Sequence, residues 1–133
     1  MKTWLAVILV ALLTIAVLPA FANPQNGNVP RYDVTKEVTL KGVVTDVVDR
    51  TCPVSGGMGS HFILKVADGS SIEVHLAPTK FVKNYELVFH KGDQVEVIGS
   101  KVNFEDKETI FARQITRGSD SFVFRDEKGK PVW

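Results

Sequence analysis

The sequence predicts a mainly β domain, a five-stranded Greek-key barrel with one short helix between strands three and four, followed by a C-terminal β extension. Three observations carry this. From Val34 to Ile115 the apolar residues alternate with period two, as in strands buried on one side. Gly, Asp and Pro break those runs where tight turns are needed. A single segment, after Leu76, changes to a helical period.

The chain opens MKTWLAVILVALLTIAVLPAFANPQ. Lys2 gives a positive start, Trp4 to Leu18 is almost unbroken apolar, and Ala20-Phe21-Ala22 has the small-x-small form that signal peptidase reads. Residues 1–22 are therefore expected to be a signal peptide cleaved after Ala22, leaving a periplasmic or secreted product. The apolar core falls short of the roughly 18 to 20 residues of a membrane span, and Pro19 follows it, so no stable span is expected after cleavage. Cleavage removes Lys2 and no acid, which turns 16 basic against 15 acidic side chains into a formally neutral chain. Cys52 is the one cysteine, so no internal disulfide can staple the domain and a hydrophobic core must hold it. A chain of about 110 residues can build one. Residues 23–36, beginning NPQNGNVPRY, are polar and rich in Pro and Gly, and read as a flexible N-terminal lead.

The barrel is expected over residues 37–117. VTLKGVVTDVVD (38–49) is a long first strand whose doublets Val43-Val44 and Val47-Val48, with Gly42, fit a strand that bends and serves two sheets. HFILKV (61–66) and SIEVHL (71–76) form a hairpin with Phe62, Leu64, Val66, Ile72, Val74 and Leu76 inward. Matching inward to inward pairs Leu64 with Val74 and Val66 with Ile72 around a three-residue loop, Asp68 to Ser70, and sets Lys65 opposite Glu73. APTKFVKNYELVFHKG (77–92) carries a helical stripe of Phe81, Val82, Tyr85, Val88 and Phe89, opened by Pro78 or Thr79 and closed near Gly92, with His90 at the negative end of the helix dipole. QVEVIGSKV (94–102) and TIFARQI (109–115) are the last barrel strands, with VNFEDKET (102–109) read as a solvated acidic loop between them. SFVFRD and KPVW form a short strand pair in the extension, residues 118–133.

This order resembles the OB-fold. The resemblance covers residues 38–115, and KGDQVEVIGS (91–100) is typical of the fourth strand of such domains. A leader followed by one such domain resembles the secreted bacterial OB-fold proteins, the BOF family. GSHFILKV, IEVHLAPTKF and FVFRDEKGKPVW look like a poorly characterised set of its secreted relatives. The longer Cys-Met loop and the extra C-terminal strand depart from the BOF pattern. The resemblance implies a role in periplasmic ligand binding or stress tolerance, and the expected partner is a small ligand or another envelope protein.

In OB-folds the outer surface of strands two and three is the usual binding region. Here that face would present His61, Ile63, Lys65, Glu73 and His75, with His75 opposite Ile63 and diagonal to His61. The stretch RTCPVSGGMGSH (50–61) leads into it. Cys52, Met58, His61 and His75 together would be a soft ligand set for copper(I), while Cys and His alone would suit zinc. The spacing C-x5-M-x2-H matches no established metal motif. The plainer expectation is a glycine-softened connection, with Met58 packed under its own loop, Cys52 a small buried residue and the histidines exposed. Nucleic acid is not the expected partner, because the charge cancels and no aromatic faces outward from strands two and three; only Phe104 and Phe111 stand near the groove as exposed candidates. Oligosaccharide binding meets the same shortage of stacking platforms. Catalysis is not expected either, since Cys52 and a histidine lack an orienting carboxylate and an oxyanion donor.

Overall fold

The structure, a computed structural model, describes residues 29–133, so the expected leader and its cleavage point lie outside the described residues. The strands are β1 (Glu37–Cys52), β2 (Gly57–Val66), β3 (Ser71–Pro78), β4 (Gln94–Phe104), β5 (Lys107–Arg117) and β6 (Asp120–Val123), with helix α1 (Thr79–Asn84) between β3 and β4. They form a mainly antiparallel sheet in the order β3-β2-β1-β4-β5-β6, closed into a barrel by a parallel pairing of β3 with β5. That order, with the helix before β4, is the OB-fold. Among the described residues no helix is long and apolar enough to cross a membrane.

Strand β1 serves both sides of the barrel. Its first half pairs with β4 as far as Val43↔Gln94, and from Gly42 onward it pairs with β2, with a bulge between Val44 and Asp46. A methyl group on Gly42 would collide with the carbonyl of Lys65, so glycine is what lets the two strands approach at the bend. The main core holds Val44, Phe62, Leu64, Val74, Leu76, Val95, Val97, Ile110, Ala112 and Ile115, with Val82 of α1 and Phe89 plugging one end.

Four expectations change here. The β2–β3 hairpin keeps its inward set, but the register is Phe62↔Val74, Ile63↔Glu73, Leu64↔Ile72 and Lys65↔Ser71, two positions from the expected pairing. The turn begins one residue early: Gly69 (φ 87°) takes the left-handed position, its N–H donating to Val66 O and the Val66 N–H donating to Ser70 O. Helix α1 is six residues rather than a run to Gly92. It ends in a Schellman motif, Leu87 N–H to Val82 O at 2.9 Å and Glu86 N–H to Lys83 O at 3.2 Å, with Glu86 left-handed at φ 55°. His90 is therefore not a helix cap; it is exposed in the following turn, where its N–H donates to Asp93 Oδ2.

The segment read as an acidic loop is mostly strand. β4 and β5 continue to a two-residue turn, Glu105 and Asp106, both at positive φ (52° and 60°) as in a type I′ hairpin. At the N-terminus, part of the expected flexible lead is tied down. Tyr32 donates to Glu37, the Asp33 N–H donates to Ser100 Oγ, and a 3-10 turn spans Val34–Lys36. In the C-terminal extension SFVFRD does not pair with KPVW along its length. β6 pairs with β5, while the tail is fixed by an Arg125↔Pro131 bridge and a Val132 N–H donated to Phe124 O.

Candidate metal centre

The stretch RTCPVSGGMGSH is the end of a hairpin. β1 runs to Cys52, β2 starts at Gly57, and only Pro53 to Gly56 turn the chain, with Ser55 N–H donating to Cys52 O and Gly56 at φ 72°. The pairings Arg50↔Gly59 and Thr51↔Met58 sort the side chains by face. Cys52, Arg50, Gly59 and His61 share one face of the ribbon; Thr51 and Met58 share the other. Met58 is accordingly 51 % exposed, its sulfur 3.7 Å from Thr51 Oγ1. The structure separates it from the imidazoles, against the four-residue ligand set read from the sequence.

The other three residues of that set converge. A register shift between Ser60 and His61 puts His61 directly across from His75, and the two rings stack with centroids 3.9 Å apart at 21°. The shared face is as alternation requires, but the surroundings differ from the expectation. His61 is 1 % exposed, His75 4 % and Cys52 0 %. The cover comes from the β4–β5 hairpin. Because residues 102–109 are strand and turn, Phe104 and Phe111 lie over the imidazoles, 5.5 Å and 5.3 Å from the His75 ring centroid. With Val102 they form a second small core, packed by Tyr32 and Val54. Neither phenylalanine is exposed, so the two stacking candidates read from the sequence serve as walls.

Behind the imidazoles stands one carboxylate. Glu73 Oε1 lies 2.8 Å from His61 Nδ1 and 3.7 Å from His75 Nε2, and it accepts from Arg50 Nε (3.1 Å) and Nη2 (2.8 Å). Arg50 also reaches Glu105 at the hairpin tip. Of the expected ligand-binding face, Ile63 and Glu73 are half-buried and only Lys65 stands free in solvent. Lys65 pairs with Ser71, and Glu73 belongs to Arg50 and the histidines instead. Neither Arg50 nor the shared carboxylate was assigned this work from the sequence. The E-x-H spacing in SIEVHL did put Glu73 and His75 on one face, but the shifted register hid what they face.

The electrostatics follow from burial. Burial drives the His75 pKa down to about 3, the neighbouring His61 adds to that, and Glu73 opposes it without prevailing. Burial also lowers the His61 pKa against the pull of Glu73. For Glu73 itself burial acts upward, but the hydrogen bonds and charge of Arg50 outweigh it and hold the carboxyl below its usual range. Both imidazoles are thus neutral at pH 7. Since a carboxylate only accepts, His61 Nδ1 carries the proton and donates, which leaves Nε2 a bare lone pair. The Nε2 atoms of His61 and His75 are buried without a hydrogen-bond partner. Such orphans cost about 1–3 kcal/mol each, so they call for an occupant.

A metal ion would satisfy that need at His61 Nε2, with His75 offering Nδ1 on the Cys52 side while its Nε2 faces Glu73. One ligating atom from each of Cys52, His61 and His75 lies within 4.8 Å of the others, and Cys52 Sγ is 3.5 Å from His75 Nδ1. Zinc–sulfur and zinc–nitrogen bonds of about 2.3 and 2.1 Å require ligand atoms roughly 3.5 Å apart, so one edge is already formed and the others need to contract by at most about 1.3 Å. Gly59 leaves room beside them: a Cβ there would sit 3.1 Å from His61 Nε2, 3.0 Å from Cys52 Cβ and 2.7 Å from Ser55 Oγ. Glu73 holding the far side of a histidine is the usual support behind a metal-binding imidazole.

Fold and pocket together define an OB-fold domain with a buried Cys-His-His cluster backed by a carboxylate. The profile of the MamS/MamX magnetosome protein family matches residues 36–122, and the chain belongs to that family. The match is to this family, and the kinship with the BOF family expected from the sequence is supported only as far as the OB-fold. Among curated proteins no sequence matches this chain. Among solved structures, it is similar to the N-terminal domain of the PriB protein from Thermoanaerobacter tencongensis, described as dimeric. The identity is 22 % and the TM-score 0.45, over 65 % of this chain and 99 % of that one.

Proposed function

We propose that this protein is an exported, non-catalytic binding module of the cell envelope whose ligand is a metal ion held by Cys52, His61 and His75. One observation carries the reading: three side chains able to ligate, from β1, β2 and β3, meet in a buried pocket where the His61 Nε2 lone pair has no partner, and one carboxylate stands behind both rings. Export is supported by the leader-like first 22 residues. On binding, the Cys52 thiol gives its proton to solvent, while the neutral histidines bind without losing one.

The order Cys52, His75, Glu73 also has the outline of a nucleophile, base and orienting acid, which supplies the carboxylate that sequence reasoning found lacking. Burial argues against that use, because no substrate carbonyl reaches a sulfur with no exposed surface. Native Cys52 is expected to resist an alkylating reagent and to react only on unfolding; rapid native alkylation would reopen catalysis. Nucleic acid would need exposed rings at this face, and Phe104 and Phe111 are buried. Anisotropy with labelled single strands at low salt, where phosphate attraction is strongest, should show no binding.

The metal reading is tested by titrating reduced protein with zinc(II) and copper(I) beside a His61→Ala, His75→Ala variant. One ion per chain is expected for the parent, and binding at least about 100-fold weaker for the variant, given what ligand and supporting groups contribute. Equal, weak binding by both proteins would end it.

A further inference from the structure

Resting on the reading of the pocket as a metal site, we infer that it selects a monovalent, thiophilic ion, copper(I), in three-coordinate geometry, over zinc(II). Three features of the pocket point there.

The first is charge. Arg50 and Glu73 already neutralise one another through two hydrogen bonds, and the second carboxylate that Arg50 reaches, Glu105, is exposed at the hairpin tip and screened by solvent. A Cys52 thiolate with two neutral imidazoles then carries a single negative charge. Copper(I) brings that to zero; zinc(II) leaves one positive charge uncompensated in a pocket walled by Phe104, Phe111 and Val102. An unpaired charge out of water is heavily penalised, so the walls discriminate by valence.

The second is coordination number. Zinc takes four ligands, either four from the protein or three and a water. Among the described residues the cluster offers three, all of them buried, so no ligand atom stands open to bulk water as a fourth-site water would need. Met58, the fourth soft donor in the sequence, points away toward Thr51. Glu73 is occupied by Arg50 and His61.

The third is the direction of the open lone pairs. With Nδ1 of His61 committed to Glu73, its Nε2 is the binding atom, facing the space that Gly59 leaves beside Cys52. Nδ1 of His75 already lies toward Cys52 Sγ, and its Nε2 is 3.7 Å from the same Glu73 oxygen. A small inward movement completes a sulfur-nitrogen-nitrogen triangle and gives His75 the same carboxylate support as His61. Soft thiolate favours copper(I), and imidazole accepts it.

The test uses the full mature chain, reduced and anaerobic. Copper(I) is delivered from a chromogenic copper(I) chelator, zinc(II) competes through its own indicator, and X-ray absorption reports the coordination of the loaded protein. The expected result is one copper(I) per chain, bound at least a thousandfold tighter than zinc(II), with one sulfur and two nitrogens around it. Met58→Leu should bind like the parent, and His75→Phe, which keeps a flat ring in the stack, should lose at least a hundredfold. Zinc bound as tightly as copper, or a four-coordinate copper site, overturns the selectivity while leaving a metal site standing. Stoichiometric binding of neither ion overturns the metal reading beneath it.

Discussion

At the scale of single residues, Glu73 is the side chain on which most depends. One of its oxygens meets His61, His75 and Arg50, so it fixes a tautomer, supports a second ring and absorbs a cation at once. Glu73→Gln keeps the shape and removes the charge. It should weaken metal binding about 10- to 100-fold, the usual effect of losing a carboxylate behind a ligating histidine, and leave circular dichroism unchanged. Gly59→Ala makes a complementary prediction. Its new methyl group would occupy the space next to His61 Nε2 and Cys52, so metal binding should fall with every ligand in place.

The imidazoles also tie stability to pH. A histidine whose folded pKa lies below its unfolded value binds fewer protons when folded, so stability falls as pH drops below the unfolded pKa, near 6.5. For His75 that loss continues toward pH 3, and the lowered pKa of His61 and of Glu73 act in the same direction. The metal-free protein should therefore lose stability between pH 6.5 and 4, at up to about 1.4 kcal/mol per pH unit from His75 alone. Urea midpoints across that range check it, and His75→Phe should flatten the slope. Much of this was hidden in the sequence for a definite reason. Alternation fixes which face a side chain takes, and a register shift of two preserves every face while changing every neighbour. The six inward residues were legible; that Glu73 meets Arg50 and the histidines rather than Lys65 was not.

At the scale of elements, two departures from expectation, the end of α1 and the β4–β5 turn, share a cause. Glu86, Glu105 and Asp106 all adopt positive φ, a conformation that sequence reasoning assigns to glycine, asparagine or aspartate and not to glutamate, so Glu86 and the leading Glu105 gave no signal. Glu86 therefore ended α1 without a visible stop signal, and the Glu105-Asp106 turn looked like the middle of an acidic loop. The second misreading mattered more, because it left Phe104 and Phe111 in solvent instead of over the histidines. The β-carbon of Glu86 makes its left-handed backbone costly, and Glu86→Gly relieves that without touching the core, since the side chain is exposed. The variant should be more stable by about 1 kcal/mol, read as a raised urea midpoint with an unchanged slope.

At the scale of the whole molecule, the C-terminal segment is part of the barrel rather than an appendage. Phe124 is fully buried in the main core, Phe122 packs on Phe89 at 5.2 Å, and Trp133 lies against Phe81. Arg125, also buried, donates to Gly129 O and sits between the rings of Tyr32 and Trp133, at 5.2 and 4.9 Å, which binds the tail to the N-terminal segment. Burial lowers its pKa, a sign that the guanidinium is held by rings and a carbonyl rather than by an acid. Phe124→Ala should cost about 3–5 kcal/mol, the usual range for emptying a buried phenylalanine site. Removing everything after Gly118 deletes Phe122, Phe124 and Trp133 together and exposes Phe89, Ile115 and Phe81 beneath them. Against a total stability of about 5–15 kcal/mol, that loss is comparable to the whole. The truncated chain should therefore give no cooperative thermal transition, whereas Phe124→Ala should keep one at lower temperature. A truncated chain that melts like the parent would show that the tail merely covers a barrel already stable without it.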